Sequence, residues 1–407
     1  MAISRNKSMK NKFVMIFIVL LLLPGFIGGC GDMHNVDELA IVLGTGIDRI
    51  EGDEPILLTV QVVNTAAAKG PGAEGGGQEV QFITLTSQGK TMLDAVQNLA
   101  KISPRKLLFS HNKIVVLGKD FAESDISEAM DFLQRSREFR LTNLILVAER
   151  TAKEILETRL DIAKLPALGL HAMLVSKDQT FIYPVNINDF LLNLKTDIGV
   201  SYAPIVRLQD LTGENKAKLE MKDSPKINLH EMAIFKDNRL VGTLNDQEAK
   251  GLLWLINKLK KDTVIIPYPE GNTQFSLIIS KGDSKIIPHI TDKTITLEII
   301  CTGEAELREA DYLSDQIKDL RLYKQLEQEA EKLLQAKVEQ TIAKAQSDLK
   351  TDFIGFGNQI HNANPNEWHQ IKAYWDQYFP EINYTVTFRI TINKAGIIKG
   401  SATSKKP

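Results

Sequence analysis

An apolar stripe runs through residues 311–350 at helical spacing: Leu313, Ile317, Leu320, Tyr323, Leu326, Ala330, Leu334, Val338, Ile342, Ala345 and Leu349. Ten intervals cover the 36 positions from first to last, a mean of 3.6, the period of a straight α-helix. A coiled-coil seam averages 3.5 and winds about a partner helix. The spacing therefore predicts one long rod from about Asp311 to Lys350 that lays a single face on a sheet, with Lys318, Asp319, Gln325 and Lys332 on its solvated sides. Strand patterns flank it. Upstream, "QFSLIIS", "SKIIPHI" and "TITLEIICTG" read as consecutive strands, with Gly282-Asp283 as a turn between the first two. Downstream, Gly355 and Gly357 mark a break, and Pro365 after Asn364 opens a helix striped by Trp368, Ile371, Trp375 and Phe379. Core packing is the plain reading of its two tryptophans; the other is a partner-facing aromatic patch. Pro380 stops that helix, and Ile382, Tyr384, Val386, Phe388, Ile390 and Ile392 alternate along a closing strand.

The first half of the chain alternates strands and helices. Strands are expected at Leu39–Leu43, Ile56–Val63, from Val80, in "HNKIVVLG" and at Leu141–Ala148. Between them, Met92, Ala95, Val96 and Leu99 mark one helix face, and Ile126, Ala129, Met130 and Leu133 another. Asp125 with Glu128, and Thr151 with Glu154, have the spacing of helix-capping pairs. Pro166 and "NDFLLNLKT" open two further helices, and residues 66–79, rich in Gly and Ala, read as a surface loop. Next, "VSYAPIVRL" precedes a hairpin with Asp237 and Asn238 in its turn, then a helix capped by Asn245 or Asp246.

These patterns predict an α/β chain of the mixed α+β kind with three domains, each a mixed or antiparallel sheet with packed helices. The expected boundaries are 30–197 for an N-terminal α/β domain and 198–262 for a small middle domain of hairpin plus helix. A C-terminal domain of sheet plus long helix then covers 263–396, and 397–407 is a polar tail.

Residues 1–29 read differently. Arg5, Lys7, Lys10 and Lys12 precede an 11-residue apolar run, Phe13–Leu23, which Pro24 and Gly25 break. A spanning helix needs about 20 apolar residues. Charged start, short apolar run and small-residue end form the layout of a secretory signal. The end is "Ile27-Gly28-Gly29-Cys30", which resembles the bacterial lipobox. Cys30 is thus expected to carry a diacylglyceryl and N-acyl lipid after cleavage before it, since two chains anchor stably where one does not. The alternative is an ordinary signal peptide or signal anchor with an incidental Cys. The whole chain has a formal net charge of −2; the first 29 residues hold four basic residues and no acid, so the remainder stands at −6. That balance gives no reason to expect nucleic-acid binding. With Cys30 modified, Cys301 has no partner thiol, and its strand setting reads as a buried, inert one.

No catalytic constellation stands out. The "GTG" at Gly44–Gly46 lacks the rest of a dinucleotide fingerprint, and no P-loop or nucleophile elbow is present. His230-Glu231 lacks the second His of a metalloprotease helix, and His361 and His369 straddle a helix start. His111 reads as a turn or strand-edge residue. No metal, cofactor or enzymatic activity is expected.

Taken in order, "DELAIVLGTGID", "RKLLFSHNKIVVLGKDFA", "DFLQRSREFR", "MAIFKDNRLVGTLNDQEAKGLLWL" and "AKAQSDLKTDFIGFGNQIHNANPNEWHQIKAYWDQYF" resemble the Ger(x)C family, the C-subunit lipoproteins of spore germinant receptors. The resemblance covers nearly the whole chain after Cys30; it departs at Gly31, where the family often has Trp. It implies a three-domain α/β lipoprotein on the outer face of the inner spore membrane, with integral-membrane A and B subunits as partners. It implies no catalytic residues, and only Cys30 carries over, as the lipid-attachment site. The function expected is assembly or signalling within a nutrient receptor during spore germination. The other readings are an extracytoplasmic solute-binding lipoprotein that feeds a transporter, and an exported enzyme.

Overall fold

The computed structural model describes residues 38–63, 82–159, 163, 165–176, 182–209, 226–268, 273–291, 294–310 and 320–395. Among these, nine strands form one sheet and four form another. The first sheet holds β1 (Leu39–Arg49), β2 (Ile56–Val63), β3 (Phe82–Gly89), β4 (Lys106–Leu108), β5 (Ile114–Leu117), β6 (Leu144–Ala148), β7 (Val200–Gln209), β8 (Lys226–Lys236) and β9 (Arg239–Leu244). Its order is β3-β2-β1-β5-β6-β7-β8-β9, with β4 paired to the start of β1. The central strands β1, β5, β6 and β7 are parallel, and both flanks are antiparallel.

Every residue of "IVVL" in β5 and "LILVA" in β6 is buried, because helices cover both faces. On one face lie α1 (Met92–Ile102), α2 (Lys119–Glu123), α3 (Ser127–Arg135) and α6 (Ile187–Leu194), packing Leu99, Phe121, Leu133 and Phe190 against Val115, Leu117, Ile145 and Val147. On the other lie α4 (Ala152–Glu157) and α5 (Pro166–Val175), which bring Leu156, Leu170 and Leu174 onto Ile114, Val116 and Leu146. Thr151 accepts a hydrogen bond from the Glu154 amide and starts α4. Asp125 accepts one from the Ser127 amide.

The stretch expected as a middle domain, 198–262, divides between the two bodies. Its strands β7, β8 and β9 extend the first sheet, while α7 (Asp246–Leu255), held by an Asn245/Glu248 capping box, belongs to the second core. The hairpin turn is where the sequence puts it, with Asp237 and Asn238 both at positive φ (49° and 63°), the conformation of a two-residue turn. The run "MAIF" in β8 is apolar throughout because Met232 and Ile234 face one core and Ala233 and Phe235 the other.

The second sheet is β10 (Asp262–Tyr268), β11 (Thr273–Thr291), β12 (Thr294–Ala310) and β13 (Asn383–Ala395), in that order, with β12 and β13 parallel. The two strands expected around Gly282-Asp283 are one strand of 19 residues. Gly282 is there for clearance and not for a turn: a Cβ would come 2.6 Å from the Trp254 ring.

The long rod is α8 (Leu320–Ala343), continued by a π-helical turn at Lys344–Asp348; Leu313 and Ile317 lie outside the described residues. Its buried row is Leu322, Leu326, Ala330, Leu334, Val338 and Ile342, spaced by four, an inclined ridge. Leu320, expected in the stripe, falls off that ridge and is 83% exposed. The next residue around the helix also works. Glu331 accepts the Ile390 amide at 2.9 Å and Glu327 the Ile392 amide at 2.8 Å. One helical turn of four residues rises about 6 Å, close to the two-residue repeat of a strand, so the two glutamates cap successive outward amides of edge strand β13.

Candidate functional site: the junction of the two bodies

Cys30, the one functional residue read from the sequence, lies outside the described residues. The described chain begins close to it, at Glu38, and β1 opens at Leu39.

The two bodies meet at a polar and aromatic junction. After the π turn, Asp352 is buried and gathers four donors. Its Oδ1 accepts the Gly355 and Phe356 amides at 2.8 and 2.9 Å; its Oδ2 accepts the Gly357 amide at 2.8 Å and the Trp375 indole N–H at 3.1 Å. These bonds start α9 (Phe356–Ala363), and Gly355 at φ 88° makes the tight entry possible. Asn364 then caps α10 (Pro365–Ile371), which a 3-10 turn joins to α11 (Trp375–Tyr378). The helix expected across Trp368–Phe379 is therefore broken, yet its stripe is core: Trp368, Trp375 and Phe379 are all buried, the indoles edge to face at 5.1 Å.

Trp368 reaches the first body. Its indole N–H donates to Asp197 Oδ2 at 3.0 Å, just beyond α6, and Lys372 lies 3.7 Å from the same oxygen. The indole bond, with Lys372 and His361 nearby, holds the Asp197 carboxyl below the ordinary Asp value. Burial pushes Asp352 the other way, above that value, despite its donors. Lys236 of β8 pairs with Asp376 of α11 as a further tie. Between these ties lies a cleft of about 160 Å³, lined by Asn193, Thr196, Tyr202, Phe353, Gly355 and Asn358 among others.

This arrangement joins bodies; it does not assemble reactive groups. All four bonds to Asp352 occupy its oxygens, so it has no free lone pair aimed at a substrate. Cys301 is fully buried in β12, and burial pushes its thiol up to about 12. His361 stacks on Trp368, and exposed His111 ends a 3-10 turn. Glu231 pairs with Arg207, while the His230 side chain lies outside the described set. Gly44 and Gly46 lie beneath α5 and α4, where a Cβ would approach Ala167 to 2.8 Å and Ala152 to 2.9 Å, so the "GTG" is a helix seat. No group of three or more His, Cys, Asp or Glu is placed to hold a metal among the described residues, and none of their helices is long and apolar enough to cross a membrane. Sequence reasoning missed Asp352 and Asp197. The first had a signal, an Asp three residues before a Gly-x-Gly at a helix start; the second had none.

Two joined mixed sheets, a long helix and a tryptophan-pinned junction define a class of α+β bodies with a solved representative. The crystal structure of the GerBC protein matches 86% of this chain and 97% of its own, with a TM-score of 0.56 at 18% identity, which shows the fold. Family models described as "Spore germination protein N-terminal domain" and "Spore germination B3/ GerAC like, C-terminal" match residues 32–208 and 230–396. Spore germination protein KC of Bacillus subtilis (strain 168) is 27% identical over 94% of this chain and 95% of its own length. Spore germination protein B3 of the same organism is 24% identical over 93% and 97%. The chain belongs to the Ger(x)C family of spore germination proteins.

Proposed function

We propose that this protein is a lipid-anchored subunit of a spore nutrient-germinant receptor, held through a diacylglyceryl and N-acyl group on Cys30 to the outer face of the inner spore membrane. It acts without catalysis, in assembly or signalling beside the integral-membrane A and B subunits. The observation that carries this reading is the match of both family regions, in order and nearly end to end, behind a segment with the layout of a lipoprotein signal. The Asp197–Trp368–Trp375–Asp352 junction supports it, because a rigid link between two bodies suits a part that passes contacts on rather than one that turns over a substrate.

The test is affinity capture through this chain from gently solubilised membranes of sporulating cells. Two polytopic proteins in the eluate are expected; their absence refutes the receptor role. Mass spectrometry of the captured chain should find an acylated Cys30 at its first residue, and Cys30→Ala should leave an uncut, unlabelled precursor. The solute-binding reading has one supporting feature, the 160 Å³ cleft between the bodies. Calorimetry of residues 31–407 with amino acids, sugars and nucleosides decides it: tight saturable binding by this fragment alone favours that reading.

A further inference from the structure

α5, Pro166–Val175, is unlike the other surface helices. Its sequence "PALGLHAMLV" has no Asp, Glu, Lys or Arg, and it is apolar on every side. Ala167, Leu170 and Leu174 face the core. The solvent side carries Ala172, which is exposed, and Val175, which is 46% exposed, while Leu165 at the N-cap and Leu168 are half-buried against the same core. A helix that borders solvent ordinarily puts charge on that side. The one titratable group is His171, which burial and then Lys113 hold below the ordinary 6.5, so the helix is uncharged at neutral pH.

The position of α5 relates that face to the point where the chain enters the fold. Ala167 sits over Gly44 in mid-β1, and His171 feels the charge of Lys113, the residue before β5. The helix thus runs toward the edge where the parallel strands β1, β4 and β5 all begin. That edge also bears exposed Lys101, Lys106 and Lys113, together with Ile102, 55% exposed; Glu38 lies among them. It is the edge at which the chain enters the fold. Leu39 pairs with Lys106, and Cys30 is nine residues upstream, a stretch that spans at most about 30 Å.

We propose that this edge, with the apolar outer face of α5 and the lysines beside it, docks on the interface of an anionic lipid bilayer. The choice of a bilayer over a protein rests on the anchor proposed at Cys30: tethering this edge within about 30 Å of a membrane raises its local concentration there. Apolar groups flanked by lysines are the side-chain set that partitions into the headgroup region of such a surface. Docking would fix the orientation of both bodies, which the tether alone leaves free.

The test uses residues 31–407, which contain every described element and no acyl chain, in co-sedimentation with vesicles of phosphatidylcholine alone or with phosphatidylglycerol. Binding to the anionic vesicles is expected, with clear loss in Val175→Glu and Ala172→Glu. A drop of about tenfold or more is expected in the Lys101→Glu/Lys113→Glu pair. Thermal melts of each variant check that the fold is retained; these side chains are exposed, so melting should be unchanged. Failure to bind anionic vesicles, binding indifferent to Val175→Glu, or self-association through this face without vesicle binding would overturn the proposal. An unmodified Cys30 in the native protein, with vesicle binding intact, would sink the anchor and leave the docking standing.

Discussion

In the first sheet, glycine makes room for helices. Gly44 and Gly46 admit α5 and α4, and Gly118 admits the Asp48 carboxylate, which accepts the Ala152 and Lys153 amides at 2.7 and 2.9 Å and seats the start of α4. Gln61 completes the seat, giving its N–H to Leu156 O at 2.7 Å and accepting the Ala167 amide at 2.9 Å. In the second sheet the paired glycines Gly282 and Gly303 make room for one side chain. The Trp254 indole lies over both, with Phe388 edge-on at 5.2 Å, and its N–H has no partner among the described residues. At these glycines, one sheet is locked by directional polar bonds and the other by an aromatic wedge. The difference matters because polar seats fix register, whereas a wedge contributes through buried area and shape.

Removing the wedge should have the largest effect. Trp254→Ala empties the cleft over Gly282 and Gly303, and we expect a loss of about 4 kcal/mol in urea-melt stability. A loss under about 1 kcal/mol would mean that the sheet closes over the gap and the contrast fails.

Asp352→Ala comes next, at about 3 kcal/mol, because it leaves four buried donors without an acceptor. The same variant should expose Trp375 to acrylamide quenching while the near-ultraviolet signal of the first body persists. Loss of both signals together would show that the two bodies unfold as one.

Opening the edge should be milder. Glu327→Ala with Glu331→Ala is expected to cost about 2 kcal/mol together and to promote self-association by light scattering, since two β13 amides lose their caps. A strictly monomeric double variant would assign edge protection elsewhere.

The pH response separates polar seats from wedge. Asp48 and Asp352 both titrate above 3.8 because burial disfavours their charged forms. An acid whose folded pKa exceeds its unfolded one binds the proton more tightly when folded, so its contribution is fully present below pH 3.8 and is lost as pH rises through the raised value. Asp48→Asn should flatten that fall in stability measured against pH, and Trp254→Phe should leave it unchanged. Smallest of all, Leu320→Ser should shift stability by less than about 0.5 kcal/mol, whereas Leu322→Ala should cost about 3.

The helical and strand periods were readable where one face or both were uniformly buried, in β2, α1, the hairpin at Asp237-Asn238 and the tryptophan stripe, while α5 was readable from Pro166 at its first turn. Gly282-Asp283 misled because the same dipeptide serves as a turn or as a clearance, and the ring that needs the clearance lies far away in sequence, on α7. Leu320 misled because a 3.6-residue mean does not reveal which ridge meets the sheet. At the junction, Trp368 and Trp375 could be placed in a core, but their acceptors Asp197 and Asp352 were invisible as partners.

Local chemistry therefore settled most of the strands and helices, where the hairpin turns, that the long rod presents one apolar side, and the family order of segments. Those properties depend on neighbours within a few positions, and such neighbours are written in the chain. Tertiary structure alone decided that β7 to β9 join the first sheet, that Gly282 and Gly303 receive Trp254, and that the Asp352 and Asp197 carboxylates hold the indoles. Each of these depends on groups brought together from distant parts of the chain, where desolvation and directional bonding act only once packing has placed them.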